Sequence, residues 1–125
     1  MILDTNALSA FADGDRGVGS VLRHQRRAAL PAIVLGEFRY GIAASRHRKS
    51  YEAWLDTELA AFEVLAVTAE TALPYAKLRT DLNRLGRAIP ANDAWIAALA
   101  IQHGLPVLSR DLHFDQVPNV DRVGW

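Results

Sequence analysis

The chain has 125 residues, half of them hydrophobic, which is enough to bury a core without staples and too apolar for a disordered segment. Lys+Arg and Asp+Glu each number 14, so the formal net charge is zero. Attraction to phosphate would have to come from local patches or a bound cation. There is no cysteine, which excludes disulfides and thiolate metal sites.

The start, Met1-Ile2-Leu3-Asp4, carries no basic segment and no long apolar run, and no stretch reaches bilayer-spanning length. The expectation is a cytoplasmic protein with one domain over residues 1–125 and no membrane contact. Ile2-Leu3 reads as a buried strand stopping at Asp4-Thr5-Asn6, a capping segment for a helix through Ala7, Leu8 and Phe11. Asp13-Gly14-Asp15 is a turn, and Val18 to Arg27 a helix with Val21 and Leu22 inward. Ala28 to Leu30 is a short strand. Pro31 opens a helix running from Ile33 to about Ala44, where proline is tolerated at the first position. Ser50 to Phe62 is helical, with Tyr51, Trp54 and Leu55 at helical spacing, and Phe62 to Val67 is a branched, alternating strand. Glu70 to Leu85 is an amphipathic helix with Leu78, Leu82 and Leu85 on one stripe, stopped by Gly86. Pro90 to His103 is a helix stopped by Gly104, followed by strands at Leu105 to Leu108 and Val120 to Val123. Strands alternating with helices predict an α/β domain with a central parallel β-sheet flanked by helices. Such sheets place their sites beyond the carboxyl ends of central strands.

Two acids lie at such ends. Asp4 closes the first strand, and Asp111 follows the Leu105 to Leu108 strand through Ser109 and Arg110. Two more sit where a helix expects apolar residues. Glu37 lies four residues after Ile33 and three after Val34, and Asp93 precedes Ile96, Ala97, Ala100 and Ile101 at helical offsets. Buried carboxylates are costly unless paired or bound to metal. Each has an ordinary alternative: Asp4 as a helix cap, Asp93 facing a helix N-terminus, Glu37 paired with an arginine, Asp111 in a turn. Together they make an oxygen cage of the kind hard cations such as Mg2+ or Mn2+ prefer.

With these residues in place the chain resembles a known family. Leu3-Asp4-Thr5-Asn6, Pro31 through Glu37 to Gly41, Pro90-Ala91-Asn92-Asp93 with Ile96-Ala97-Ala98, and Ser109-Arg110-Asp111-Leu112-His113-Phe114 resemble PIN-domain proteins, in particular VapC-type toxins of bacterial toxin–antitoxin modules. The likeness covers nearly the whole chain in order, with a very short lead before Asp4. It implies a PIN-like fold and a magnesium-dependent endoribonuclease that hydrolyses RNA with metal-activated water. It also implies inhibition by a cognate antitoxin and a homodimer. The family's acidic positions fall on Asp4, Glu37, Asp93 and Asp111, its small hydroxyl residue falls on Ser109, and Asp115 is an extra acid for an outer-sphere role. His113 reads as a structural residue at the end of the site and not as a general base. Arg110 reads as an RNA contact or a surface residue. Phe11, Tyr40 and Trp54 read as ordinary core residues; if exposed together, they would form a groove for an antitoxin segment. The alternative is a PIN module acting as a non-catalytic or DNA-associated partner in a regulatory complex. A response-regulator receiver of similar length needs a lysine after a late strand, whereas Lys49 and Lys77 both lie in helical stretches.

Overall fold

Five short strands form the centre of the fold: β1 Ile2–Leu3, β2 Ala29–Pro31, β3 Glu63–Leu65, β4 Val107–Leu108 and β5 Arg122–Val123. They are seen in a computed structural model that describes residues 1–125. All pairings are parallel, and the spatial order is β3-β2-β1-β4-β5. Six helices flank the sheet: α1 Thr5–Ala12, α2 Arg16–Arg23, α3 Ala32–Ile42, α4 Arg48–Glu58, α5 Ala69–Arg84 and α6 Ala91–His103. Short 3-10 turns follow at Leu59–Ala61 and Leu112–Gln116. No helix is long and apolar enough to cross a membrane.

The central strands β1 and β4 are wholly buried, as apolar runs in a parallel sheet covered by helices should be. Their register pairs Ile2 with Val107 and Leu3 with Leu108. The two strands therefore leave the sheet side by side, one at Asp4 and the other at Ser109. Helix α6 buries Ala94 and every residue from Ile96 to Ala100, so it is apolar almost all round and lies deep in the core. Gly104, at φ +64°, ends it in the left-handed conformation that glycine adopts without a Cβ penalty. Helix α5 packs along α6.

Most expected elements are present with shifted ends. Helix α2 stops at Arg23 and not at Arg27 because sheet pairing claims the backbone beyond it. The Arg27 carbonyl accepts the Met1 ammonium at 2.7 Å, and the Ala28 carbonyl accepts from Glu63 N at 2.9 Å. Pro31 ends β2 and caps α3 from outside the helix instead of occupying its first position. Leu85 is not on the buried stripe of α5: the helix ends at Arg84, and Leu85 turns outward while Leu78 and Leu82 stay buried.

Candidate metal centre

Asp4 is the most buried acid of the chain, 4% exposed, at the carboxyl end of β1. One of its oxygens, Oδ1, accepts from Ala7 N at 2.8 Å and so caps α1. The other, Oδ2, accepts the Ser109 hydroxyl proton. Ser109 is itself fully buried, and its Oγ also accepts Asp111 N at 2.9 Å. One hydroxyl thus ties the end of β1 to the turn after β4.

Asp111 caps the 3-10 turn that follows it, accepting His113 N at 2.9 Å. The His113 ring then folds back, with Nδ1 3.0 Å from Asp111 Oδ1 and 3.0 Å from Asp93 Oδ2. Asp93 comes from the first turn of α6, where a carboxylate also complements the helix dipole. Glu37, on α3, accepts the Thr5 hydroxyl at 2.8 Å. It sits at the edge of the α3 stripe formed by Val34, Phe38 and Ile42, half-buried and not fully inward.

The electrostatics are those of crowding. Burial pushes the Asp4 carboxyl above its usual range, the bonds from Ser109 and Ala7 pull it back, and the charges of Asp93 and Asp111 raise it further. Burial also raises Asp93, opposed by the His113 bond and reinforced by Asp111 and Glu37. His113 is raised in turn, chiefly by its bond to Asp93. Ligand atoms of Asp93, Asp111 and His113 all lie within 4.8 Å of one another. Asp4 and Glu37 stand beside that set, each held by a protein hydroxyl.

All five expected site residues, Asp4, Glu37, Asp93, Asp111 and Ser109, therefore meet at one end of the sheet. His113, expected as a structural residue at the end of the site, bridges two of the acids. Its signal was the Asp-x-His spacing in a tight turn, which returns a ring to the carboxylate two residues before it. Asp115 is exposed. It binds Arg122 through Nε at 2.8 Å and Nη2 at 3.0 Å, and Arg122 Nη1 donates to the Ser109 carbonyl at 3.0 Å. Arg110 stacks over Trp125, 4.5 Å from the ring centre, and donates to its carbonyl at 3.1 Å. Of the three helical aromatics, Phe11 and Trp54 take the core reading and only Tyr40 is exposed, so they form no shared groove. Phe11 and Trp54 meet edge to face at 5.6 Å against the core, leaving Tyr40 alone outside. What opens beside Glu37 is a cleft of about 320 Å³ between α1, α3 and α4, lined by Thr5, Ser9, Asp13, Gly41, Ser45 and Tyr51 among others.

Residues 1–120 match the PIN domain family. Among curated relatives, Ribonuclease VapC5 of Mycobacterium tuberculosis is 34% identical, covering 90% of this chain and 84% of its own. Ribonuclease VapC2 of Rickettsia felis is 29% identical, covering 99% and 96%. The solved structure of VapBC2 from Rickettsia felis, bound to a DNA fragment from its promoter, superposes with a TM-score of 0.87 at 27% identity, covering 99% of this chain and 97% of that one. FitAcB from Neisseria gonorrhoeae superposes with a TM-score of 0.83 at 28% identity, covering 97% and 94%.

Proposed function

The chain belongs to the PIN-domain family, and from that premise we propose that it is the VapC-type ribonuclease toxin of a toxin–antitoxin pair, an endoribonuclease working in the cytoplasm on RNA phosphodiester bonds. A protein antitoxin is its partner, as the neighbouring complexes suggest. Its reaction centre is the cluster of Asp4, Glu37, Asp93, Asp111 and Ser109, with Mg2+ as the resident metal and Mn2+ as a substitute.

The donor set fits a hard divalent cation. It is rich in carboxylate oxygens and has no thiolate. Two of its acids are held above their usual range, with the charges of neighbouring acids adding to burial, a cost that a cation reverses. Asp93 and Asp111 would hold the metal, with Asp4 beside them. When bound, the metal supplies a water of lowered pKa and neutralises charge developing on the scissile phosphate. Ser109 orients Asp4 and anchors the backbone before Asp111, so both acids keep their aim. Glu37, fixed by Thr5, presents its free oxygen to accept a proton from the attacking water. His113 donates from Nδ1 to the Asp93–Asp111 pair and holds the two carboxylates together.

The observation that carries this reading is the continuous network from Asp4 through Ser109 and Asp111 to His113 and Asp93. Incubation of the purified protein with total RNA and Mg2+ tests it. Cleavage should occur, stop with EDTA, and return with Mg2+ or Mn2+. Sequencing the new ends then reads the preferred RNA. Cleavage indifferent to EDTA, or undiminished in a folded Asp4→Asn variant, contradicts it.

A further inference from the structure

Away from the carboxylates, one stretch breaks a local rule. Arg46, His47, Arg48 and Lys49 are consecutive and exposed, and none pairs with a carboxylate. His47 is the N-cap of α4, and Arg48 and Lys49 fill its first turn. That turn has no acid, and no side chain bonds its free N–H groups. A helix N-terminus favours negative charge, so cations placed there oppose the helix unless an anion joins them.

This basic turn borders the cleft beside the carboxylates. Ser45, the residue before it, lines the same cleft as Thr5 and Glu37. From Glu37 helix α3 runs on to Ile42, and a turn closed by Ser45 N donating to the Ile42 carbonyl at 2.9 Å leads into the basic stretch. Between Glu37 and Ser45 stands Tyr40, one turn on from Glu37 and 85% exposed, the most exposed large apolar side chain of the molecule. The other acid of the cleft besides Glu37, Asp13, accepts the Tyr51 hydroxyl at 2.6 Å.

Resting on the ribonuclease reading, the geometry points to a path for single-stranded RNA that leaves the carboxylates along α3, stacks a base on Tyr40, and seats its phosphates on Arg46, Arg48 and Lys49 at the α4 N-terminus. A duplex hides its base faces, whereas an unpaired base can stack on an exposed ring. Arginine forks and helix N–H groups both suit phosphate. An acidic peptide would also meet the cations. RNA is favoured because the path begins where the scissile phosphate must lie and passes the ring on the way.

Fluorescence anisotropy with a single-stranded 2′-O-methyl oligonucleotide, in Mg2+ and across salt concentrations, tests the path. Arg46→Ala/Arg48→Ala/Lys49→Ala should reduce the slope of log affinity against log salt by about 2, since each phosphate contact on a single strand contributes about 0.7. Tyr40→Ala should cost about tenfold at every salt with the slope unchanged, and Tyr40→Phe should recover it. All four positions are exposed, and removing cations from the α4 N-terminus relieves an unfavourable charge, so melting temperatures should equal or slightly exceed the wild type's. Unchanged affinity and slope in both variants overturn the path, as does a wild type that binds no single strand. If the variants keep RNA binding but lose a co-expressed antitoxin, the surface belongs to the antitoxin and the path is equally overturned. Metal-dependent cleavage of total RNA by the wild type is a separate readout, so failure of the path and failure of the ribonuclease reading are told apart.

Discussion

Two regions of this molecule bury polar side chains, and they do so in opposite ways. Between α5 and α6, Thr71 is fully buried, yet its hydroxyl meets Gln102 Oε1 at 2.5 Å and accepts Thr68 N at 3.0 Å, while Gln102 Nε2 reaches back to Thr68. The partners of Thr71 itself are neutral, and at the exposed rim the Thr68 hydroxyl passes the network on to the Glu70 carboxylate at 2.8 Å. At the carboxyl edge of the sheet, burial and the charges of Asp93 and Asp111 raise the cost of ionising Asp4, and burial with Asp111 and Glu37 does the same to Asp93. The first network is complete without anything added. The second is held in shape by hydroxyls and one imidazole while its charges oppose each other. Buried polar groups answered by protein donors belong to the structure, whereas buried like charges mark a place for something from outside.

The largest expected effect separates the two regions by activity. Under the proposed metal centre, Asp93→Asn should lower RNA cleavage by about 10²-fold or more, since it removes one of the carboxylates assigned to the metal. The variant should stay folded, because the amide can still occupy the same half-buried site. Thr71→Val, in contrast, should cost about 1–3 kcal/mol of stability, because Gln102 and the Thr68 N–H lose a buried partner. Its metal dependence should be that of the wild type. Urea unfolding read beside cleavage at limiting Mg2+ checks both. A Thr71→Val protein with altered metal dependence would break the distinction.

The next effect depends on pH. Asp4 and Asp93 titrate above their unfolded-state values, near 3.9 for aspartate. For groups with raised folded pKa, the stability they contribute is fully present below the unfolded value and is lost as pH rises through the folded one. His113, also raised, acts in the same direction at higher pH. Metal-free protein should therefore melt lower at neutral pH than in mild acid. Mg2+ should recover the loss at neutral pH and recover little in acid, where protons compete for the same oxygens. Melting curves in EDTA and in Mg2+ measure this. Asp4→Asn/Asp93→Asn should flatten the metal-free profile, whereas Thr71→Val should shift it down uniformly.

The smallest effect is at Asp115. Its pair with Arg122 is solvent-exposed, and such pairs contribute about 0–1 kcal/mol. Asp115→Asn should alter stability within that range and leave metal affinity unchanged. A large fall in metal affinity would add Asp115 to the centre.

Much of this was legible in the chain because period and termination carry it. Ile2-Leu3 and Val107-Leu108 are apolar runs that stop at polar residues, and parallel pairing of such runs brings Asp4 and Ser109 together. Asp93 was marked by its helical offsets to Ile96, Ala97 and Ala100. Glu37 was read as inward, but periodicity cannot tell the centre of a stripe from its edge, and it lies at the edge. His113 was read as a structural residue at the end of the site; which acids its ring meets depends on side-chain direction through a 3-10 turn, which spacing does not encode. Phe11, Tyr40 and Trp54 looked alike as aromatics on helices. Only packing distinguishes the two that meet each other from the one left outside. Helix α2 ended early because its last residues were needed by the sheet, a tertiary demand with no local signature.

Titration calorimetry of Mg2+ or Mn2+ into the metal-free protein tests the central claim most directly, with wild type, Asp93→Asn and Thr71→Val compared at neutral and mildly acidic pH. The account predicts saturable binding by wild type and Thr71→Val, weaker binding in acid, and about 10²-fold weaker or no binding by Asp93→Asn. Equal metal affinity in a folded Asp93→Asn protein would contradict it.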